Sequence, residues 1–153
     1  MAALADRLRI PAFSAGQLIR DEVARQTERG KRIAPYVERG EIPPGNVASE
    51  LLLERILSDK VRREGYIING YPRTVEALET YLSHDRPTLV IHLLIDPSIA
   101  RQRLAGRGRE DDTSEVVEKK LQRYRDTERP VCNYLKAHTD IPVVEIDGTL
   151  PAE

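Results

Sequence analysis

Continuous runs of apolar residues mark the predicted strands of this chain. A short run covers residues 66–68 and a longer one covers residues 89–95, and a third strand, Val143-Val144-Glu145-Ile146, follows Pro142. Apolar runs without alternation are typical of parallel strands that are covered on both faces. A short extended piece at residues 11–14 follows the first predicted helix. We therefore expect parallel strands that are covered on both faces at the two apolar runs, and a further strand at residues 143–146.

Between these runs, apolar residues recur at the three- and four-residue spacing of helices. The clearest case begins at Val47 and predicts one helix to about Arg63. Ser14, with Gln17 three residues later, predicts a capping box at the start of a helix that runs towards Gly30. The same spacing predicts the other helices at residues 2–9, around 33–37 with a cap at Gly40, and at 74–84, 97–105 and 114–137, the last bent by Pro130. Strands that alternate with helices predict an α/β fold with a parallel sheet.

Composition narrows the class of protein. The 153 residues fit one domain, and 24 Lys and Arg against 25 Asp and Glu give a formal net charge of −1. This balance argues against a nucleic-acid or membrane-surface binder. A single cysteine, Cys132, excludes disulfide frameworks, and the three histidines lack metal-ligand spacing, so we expect no protein-bound metal. No signal peptide or membrane span is predicted, which favours a cytoplasmic protein.

The first candidate site is the arginine-rich segment RQRLAGRGR at residues 101–109. Arg103, Arg107 and Arg109 lie at a helix end loosened by two glycines. Guanidinium groups on such a loop suit the capture of a polyphosphate, because they form planar, charge-assisted hydrogen bonds. The alternative is a solvated helix end whose arginines pair with the acidic residues that follow, Glu110, Asp111 and Asp112.

The second candidate is GYIINGYPRT at residues 65–74, where a strand ends and presents Arg73 just beyond it. Ligands bind at that edge of open parallel sheets, and arginine is a good phosphate ligand. Thr74 can cap the helix that follows. The alternative is that Asn-Gly and Pro simply make a turn and Arg73 is solvated. A third and weaker candidate is SAGQLIR at residues 14–20, where a helix N-terminus adjoins Arg20.

In this order and spacing, the segments resemble adenylate kinase and its nucleoside monophosphate kinase relatives of the short-lid type. SAGQLIR resembles the family's Ser-Thr-Gly-Asp-x-x-Arg, and GYIINGYPRT resembles its Gly-Phe-x-x-Asp-Gly-Phe-Pro-Arg-Thr. RLAGRGREDDT resembles the short form of the lid, and IDGT resembles the closing Val-Asp-Gly-Thr. The resemblance covers the chain from Ala2 to Pro151. It implies a P-loop-kinase-like parallel sheet with helices on both faces, a monophosphate-binding helical insert at residues 14–45 and a lid at residues 106–113.

The family chemistry is transfer of the γ-phosphoryl group of Mg–ATP, the co-substrate, to a nucleoside monophosphate. By resemblance, Arg20, Gly70 and Arg73 would hold the monophosphate, and Arg103 would stack on the ATP base. By the same resemblance, Arg107, Arg109 and Lys120 would act in phosphoryl transfer. Asp111 and Asp112 would position the lid arginines.

Several positions depart from the family pattern. The 153 residues contain no Gly-x-x-x-x-Gly-Lys-[Ser/Thr] loop, so the amides and lysine that cradle ATP phosphates are lacking. Asn69 replaces an aspartate that helps to hold Mg²⁺. The other replacements are Ala15 for threonine, Gln17 for aspartate, Ala77 for a base-reading glutamine and Lys120 for arginine. We expect impaired activity, either because this is a fragment or because it is a degenerate, non-catalytic nucleotide-binding relative.

The family's central first strand also has no counterpart in this chain. That strand would lie between those matching residues 66–70 and 89–95, so these two must pair directly, leave a gap or accept a strand from another molecule. A gap would bury unpaired backbone groups at about 1–3 kcal/mol each. We therefore expect no gap in a stable isolated chain, and a monomer unless the strand edges drive association or swapping.

Overall fold

The computed structural model describes residues 1–43, 46–57, 59–106, 108 and 113–150. Four strands and nine α-helices lie in these ranges. The strands are β1 Ala12–Ser14, β2 Ile67–Asn69, β3 Val90–Leu94 and β4 Val143–Asp147. The helices are α1 Ala2–Leu8, α2 Ala15–Ala24, α3 Glu28–Glu38, α4 Val47–Ile56, α5 Asp59–Glu64, α6 Val75–Leu82, α7 Pro97–Gly106, α8 Ser114–Arg123 and α9 Arg129–His138. None of the helices in these ranges combines the length and the apolar character that crossing a membrane requires.

The strands form two parallel pairs, which confirms the α/β prediction. In one pair β1 lies beside β2, with Ala12 opposite Ile67 and Ser14 opposite Asn69. In the other pair β3 lies beside β4, with Val90 opposite Val143. Direct pairing of β2 with β3 does not occur among the described residues. The extended piece at residues 11–14 is therefore the strand that satisfies one edge of β2.

The chain divides into two compact units, each with its own apolar cluster. Met1–Glu38 and Ile42–Pro72 form the first unit, and Arg39–Glu41 with the described residues from Arg73 onward form the second. The first cluster is Ile33, Val47 and Leu51, covered by Leu18, Ile19 and Val23. The second is Leu78, Val131, Leu135 and Ile141, packed with Val75, Leu82, Val90, Tyr134 and Val143. Helical spacing in α2, α4, α6 and α9 supplies these faces.

The β3–β4 sheet is covered less completely than its apolar runs predict. Ile91 lies opposite Val144 and Leu93 lies opposite Ile146, so these four side chains share one face. All four are exposed, by 43–53%. Because α6 and α9 pack against the other face, the expectation of strands covered on both faces does not hold for the described residues.

Three predicted helices differ from those observed. The helix from Ser14 ends at Ala24 rather than near Gly30, and Gln26 adopts a left-handed φ of 55° before α3 begins. The helix predicted to reach Arg63 is divided into α4 and α5. A π-helical turn, Tyr124–Glu128, separates α8 from α9. Pro130 follows this turn closely and cannot donate an amide hydrogen bond to it.

Candidate functional site

The two segments predicted to bind a monophosphate begin at one edge of the β1–β2 sheet. Ser14 ends β1 and lies in register with Asn69, which ends β2. Parallel strands bring their carboxyl ends to the same edge, where ligands bind in α/β proteins. Gly70 then turns the chain with a left-handed φ of 72°, which a residue without a side chain adopts at little cost. The parallel register thus places Ser14, the first residue of SAGQLIR, beside Asn69, the first residue of NGYPRT.

Contacts within α2 position the Arg20 side chain. Ser14 caps α2, because its hydroxyl accepts a hydrogen bond from the Gln17 amide at 3.4 Å. The Gln17 side chain does not complete the predicted capping box; it accepts from Arg20 Nη2 at 2.8 Å and donates to Asp21 at 2.7 Å. The residue that departs from the family aspartate therefore contacts Arg20 directly.

Arg73 follows the strand end and is engaged rather than simply solvated. Thr74 caps α6, as predicted, by accepting from the Ala77 amide at 3.1 Å. The Nη1 of Arg73 donates to Glu128 Oε1 at 3.3 Å, and the Arg73 side chain is 32% exposed. The guanidinium is therefore half-buried beside a carboxylate.

The same carboxylate oxygen binds a second arginine. Arg123 Nε donates to Glu128 Oε1 at 3.0 Å, and Arg123 Nη1 donates to the Gly40 carbonyl at 2.8 Å. We call Arg73, Arg123 and Glu128 the Glu128 cluster. One negative charge is thus shared between two positive charges, and the second arginine is anchored on the backbone.

Sequence reasoning did not find Glu128 or Arg123. Both lie in or beside the π-helical turn, within the mixed-charge stretch RYRDTERP, where no spacing singles out one carboxylate. Arg73 lies 55 residues away along the chain. Only the packing of α6 and α9 in one unit could have revealed the pair.

The π-helical turn that carries Glu128 is fixed to the sheet by His92. His92 is buried, and its Nε2 lies 2.7 Å from the Tyr124 hydroxyl. Its Nδ1 lies 3.3 Å from Glu145 Oε1 on the neighbouring strand. Burial raises the pKa of Tyr124. Tyr124 therefore remains a neutral hydroxyl partner of the ring at neutral pH.

Arg103 joins two segments that the sequence placed far apart. Its guanidinium donates to the carbonyls of Gly148 at 2.5 Å, Thr149 at 2.6 Å and Leu150 at 2.9 Å. The end of α7 is thereby tied to the segment IDGT. Lys120 lies half-buried on α8 and is engaged in an interaction of its own. The remaining predicted site residues, Arg107, Arg109, Asp111 and Asp112, lie outside the described residues, as does Glu110.

The first unit contains a buried counterpart of the Glu128 cluster. Glu22 is only 5% exposed and accepts hydrogen bonds from the Thr27 hydroxyl at 2.7 Å and Arg29 Nε at 3.1 Å. Arg29 Nη1 also donates to Glu54 at 2.9 Å. We call these four residues the Glu22 cluster. The Thr27 hydrogen bond, with the Arg29 charge, lowers the pKa of Glu22 against the opposing effect of burial.

Metal binding by the protein itself has no support in the described parts of the chain, where no three His, Cys, Asp or Glu side chains are grouped to hold an ion. Arg20 lies on the helix that follows β1, and Arg73 lies just beyond the end of β2. Guanidinium groups suit phosphate, whose oxygens accept charge-assisted hydrogen bonds from them.

The comparison with known proteins agrees with this geometry. A family model described as adenylate kinase matches residues 1–140. The chain belongs to the adenylate kinase family. The chain is 35% identical to an adenylate kinase of Mycobacterium sp. (strain MCS) over 97% of its length and 83% of that protein. It is 34% identical to one of Mycolicibacterium vanbaalenii, over 96% of the chain and 82% of the relative, and 31% identical to one of Rhodococcus erythropolis, over 88% and 77%.

Membership explains why the arginine-bearing segments occur in this order. It supports a phosphotransferase of the nucleoside monophosphate kinase type, and the family uses ATP with Mg²⁺ as co-substrate. Phosphoryl transfer depends on positioning and charge neutralisation more than on covalent chemistry. An arginine at the end of a parallel strand is suited to that task.

Proposed function

We propose that this chain transfers the γ-phosphoryl group of Mg–ATP to a nucleoside monophosphate and that the 153 residues alone do so slowly. The observation that supports the substrate class is the register of Ser14 with Asn69, which starts both monophosphate segments at one sheet edge. Helix α2 carries Arg20 away from that edge, and the turn after β2 leads to Arg73. A phosphate bound by guanidinium groups is the simplest ligand for such residues.

The proposed roles follow the family pattern. Arg20, Gly70 and Arg73 bind the monophosphate. Arg103 lies beside the ATP base, where it also holds the carbonyls of residues 148–150. Charge neutralisation during transfer is assigned to Arg107, Arg109 and Lys120, with Asp111 and Asp112 positioning the lid. The insert at residues 14–45, the lid at 106–113, the monomeric state and the cytoplasmic location remain predictions.

Slow turnover is proposed from the residues themselves. No Gly-x-x-x-x-Gly-Lys-[Ser/Thr] loop occurs in the chain, so backbone amides and a lysine for the ATP phosphates are lacking. Asn69 removes a negative charge near Mg²⁺. The same two features favour the second candidate function, in which the chain binds nucleotides without catalysis and serves a regulatory role.

A coupled assay with Mg–ATP and each of AMP, CMP, GMP and UMP tests catalysis. We expect turnover well below the range of about 1–100 s⁻¹ that is typical of kinases. Turnover within that range would contradict the proposed impairment. Calorimetry with the same nucleotides separates the two candidate functions: binding without turnover supports the regulatory one, and no binding of any mononucleotide contradicts both.

The same set of nucleotides tests base preference. Ala77 and Ala15 offer no side-chain hydrogen bond to a base edge, and the Ala77 amide is already bonded to Thr74. A site rejects an analogue strongly only where a mismatch leaves polar groups unpaired, so discrimination should stay far below about 10⁴-fold. A preference for AMP of that size would contradict the proposal.

Arg73→Ala tests the monophosphate site directly. Loss of a charge-assisted hydrogen bond should weaken monophosphate binding by about 1.5–3 kcal/mol. Arg125→Ala is the matched control, because Arg125 is an exposed arginine of the same unit that bonds to Gln122. Unchanged affinity in Arg73→Ala would remove Arg73 from the site.

A further inference from the structure

The Glu128 cluster places a carboxylate on the guanidinium that the proposed function assigns to the substrate phosphate. Glu128 Oε1 lies 3.3 Å from Arg73 Nη1, and the two side chains are 25% and 32% exposed. A phosphate that binds Arg73 must approach this carboxylate or replace it. Two anions close to one guanidinium repel each other, and partial burial weakens solvent screening of that repulsion.

Arg123 remains as a charged partner of Glu128 when Arg73 moves away. It donates to the same Glu128 oxygen at 3.0 Å, and its side chain is only 17% exposed. The Gly40 carbonyl holds its other end. Glu128 therefore keeps a charged partner when Arg73 turns to a phosphate, and no buried carboxylate is left unpaired.

The anchor of Glu128 is likewise independent of Arg73. The π-helical turn that carries Glu128 is tied to β3 through the hydrogen bond between Tyr124 and His92. The carboxylate thus stays in place whether or not Arg73 is bound to it. A fixed carboxylate with a retained partner acts on every anion that Arg73 could bind.

We propose that Glu128 is an internal competitor for Arg73 that weakens the binding of the nucleoside monophosphate. The inference rests on the proposed function, because it takes Arg73 as a phosphate ligand. Glu128 acts through Arg73 and is a positioning residue rather than a catalytic one. Its effect falls on monophosphate affinity and depends on the presence of the Arg73 guanidinium.

Glu128→Gln removes the charge and keeps a hydrogen-bond acceptor of the same shape. We expect this variant to bind monophosphate about three- to tenfold more tightly at low ionic strength, the scale of one screened like-charge contact. The measurement is an NMR titration with AMP, CMP, GMP and UMP. Raising the salt concentration should reduce the gain. Glu128→Ala is a second variant that should shift affinity in the same direction.

A double-mutant cycle distinguishes competition from a general structural effect. In an Arg73→Ala background, Glu128→Gln should change monophosphate affinity by less than about twofold, since the shared guanidinium is gone. Glu118→Gln is the matched control: it removes an exposed carboxylate that pairs with Arg101 in the same unit, and it should leave affinity unchanged.

The outcomes separate this inference from the proposed function. If the wild-type chain binds a monophosphate and folded Glu128→Gln binds it equally or more weakly, the competitor role is wrong and the function stands. A gain that persists without Arg73 also overturns the inference. If neither the wild type nor Glu128→Gln binds any of the four nucleotides, the proposed function fails together with the inference.

Discussion

The first compact unit buries its carboxylate between internal partners, whereas the second unit leaves the carboxylate of the Glu128 cluster partly open to solvent. Glu22 has a side chain that is 6% exposed, against 25% for Glu128. Glu22 accepts from the hydroxyl of Thr27, just before α3, and from Arg29 in α3. Both clusters use guanidinium and carboxylate groups, but only the second has a member that the family pattern assigns to substrate.

The two clusters differ in how each carboxylate would be paired after its arginine moved away. Arg29 links α3 to Glu22 and to Glu54, and Arg25 Nη1 lies 3.7 Å from the other Glu22 oxygen, so moving Arg29 would leave a buried carboxylate with one more distant arginine. Arg73 can move away because Arg123 remains on Glu128. Buried ion pairs are costly to break from one side, whereas partly exposed pairs contribute little. Each carboxylate has a second arginine, so burial is what distinguishes the structural cluster from the exchangeable one.

The largest expected effect tests the structural cluster. Glu22→Ala should lower the free energy of unfolding by about 3 kcal/mol. This value is at the low end of the range for a broken buried ion pair, because Arg29 still pairs with Glu54. Urea unfolding measures the change. The control is Glu118→Gln, which breaks an exposed pair with Arg101 and should cost less than about 1 kcal/mol. Equal losses in the two variants would remove the contrast between the clusters.

Gly30→Ala tests how closely the two helices of the first unit approach. A Cβ at Gly30 would lie 2.1 Å from the Glu22 carbonyl oxygen, so α3 would have to move away from α2. Overpacking of this kind outweighs the gain in helix propensity, and we expect a loss of about 2 kcal/mol. Gly106→Ala, whose added Cβ meets no atom within 4 Å among the described residues outside its own helix backbone and chain neighbours, should instead be neutral or stabilising by about 0.4–1 kcal/mol. Equal stability of both variants would contradict the close approach.

Acid pH tests the charge of Glu22. Its pKa is lowered from the ordinary 4.5, chiefly by the Thr27 hydrogen bond, so the folded state favours the ionised form. This contribution to stability is present above the unfolded pKa and is lost as the pH falls through the lowered folded pKa. Glu22→Gln lacks that titration and should lose less unfolding free energy than the wild type between about pH 5 and pH 3. Parallel losses would show that Glu22 is not stabilised as an ion.

The sequence predicted most of the elements because they depend on local patterns. Continuous apolar runs placed β2, β3 and β4 within one or two residues, and Thr74 capped α6 as its side chain suggested. The break between α2 and α3 was not predicted, because it depends on the approach of Gly30 to Glu22 across two helices. Local spacing carries no information about such contacts.

For the site, too, the sequence predicted local segments but not the contacts between distant residues. The family resemblance singled out Arg20, Arg73 and Arg103 by their segments, and the structure assigns partners to each. The partners themselves were not predicted. Glu128 lies in a π-helical turn, which interrupts the helical spacing, and its pairing with Arg73 arises only when α6 packs against α9.

The smallest expected effect is on stability in the exchangeable cluster. Arg73→Ala should change the free energy of unfolding by less than about 1 kcal/mol, because the pair with Glu128 is partly exposed and Arg123 keeps the carboxylate neutralised. Urea unfolding of this variant is compared with that of Glu22→Ala under the same conditions. A loss approaching that of Glu22→Ala would show that Arg73 is a structural residue like Arg29. A small loss, together with weakened monophosphate binding, would show that the guanidinium contributes to ligand binding rather than to the fold.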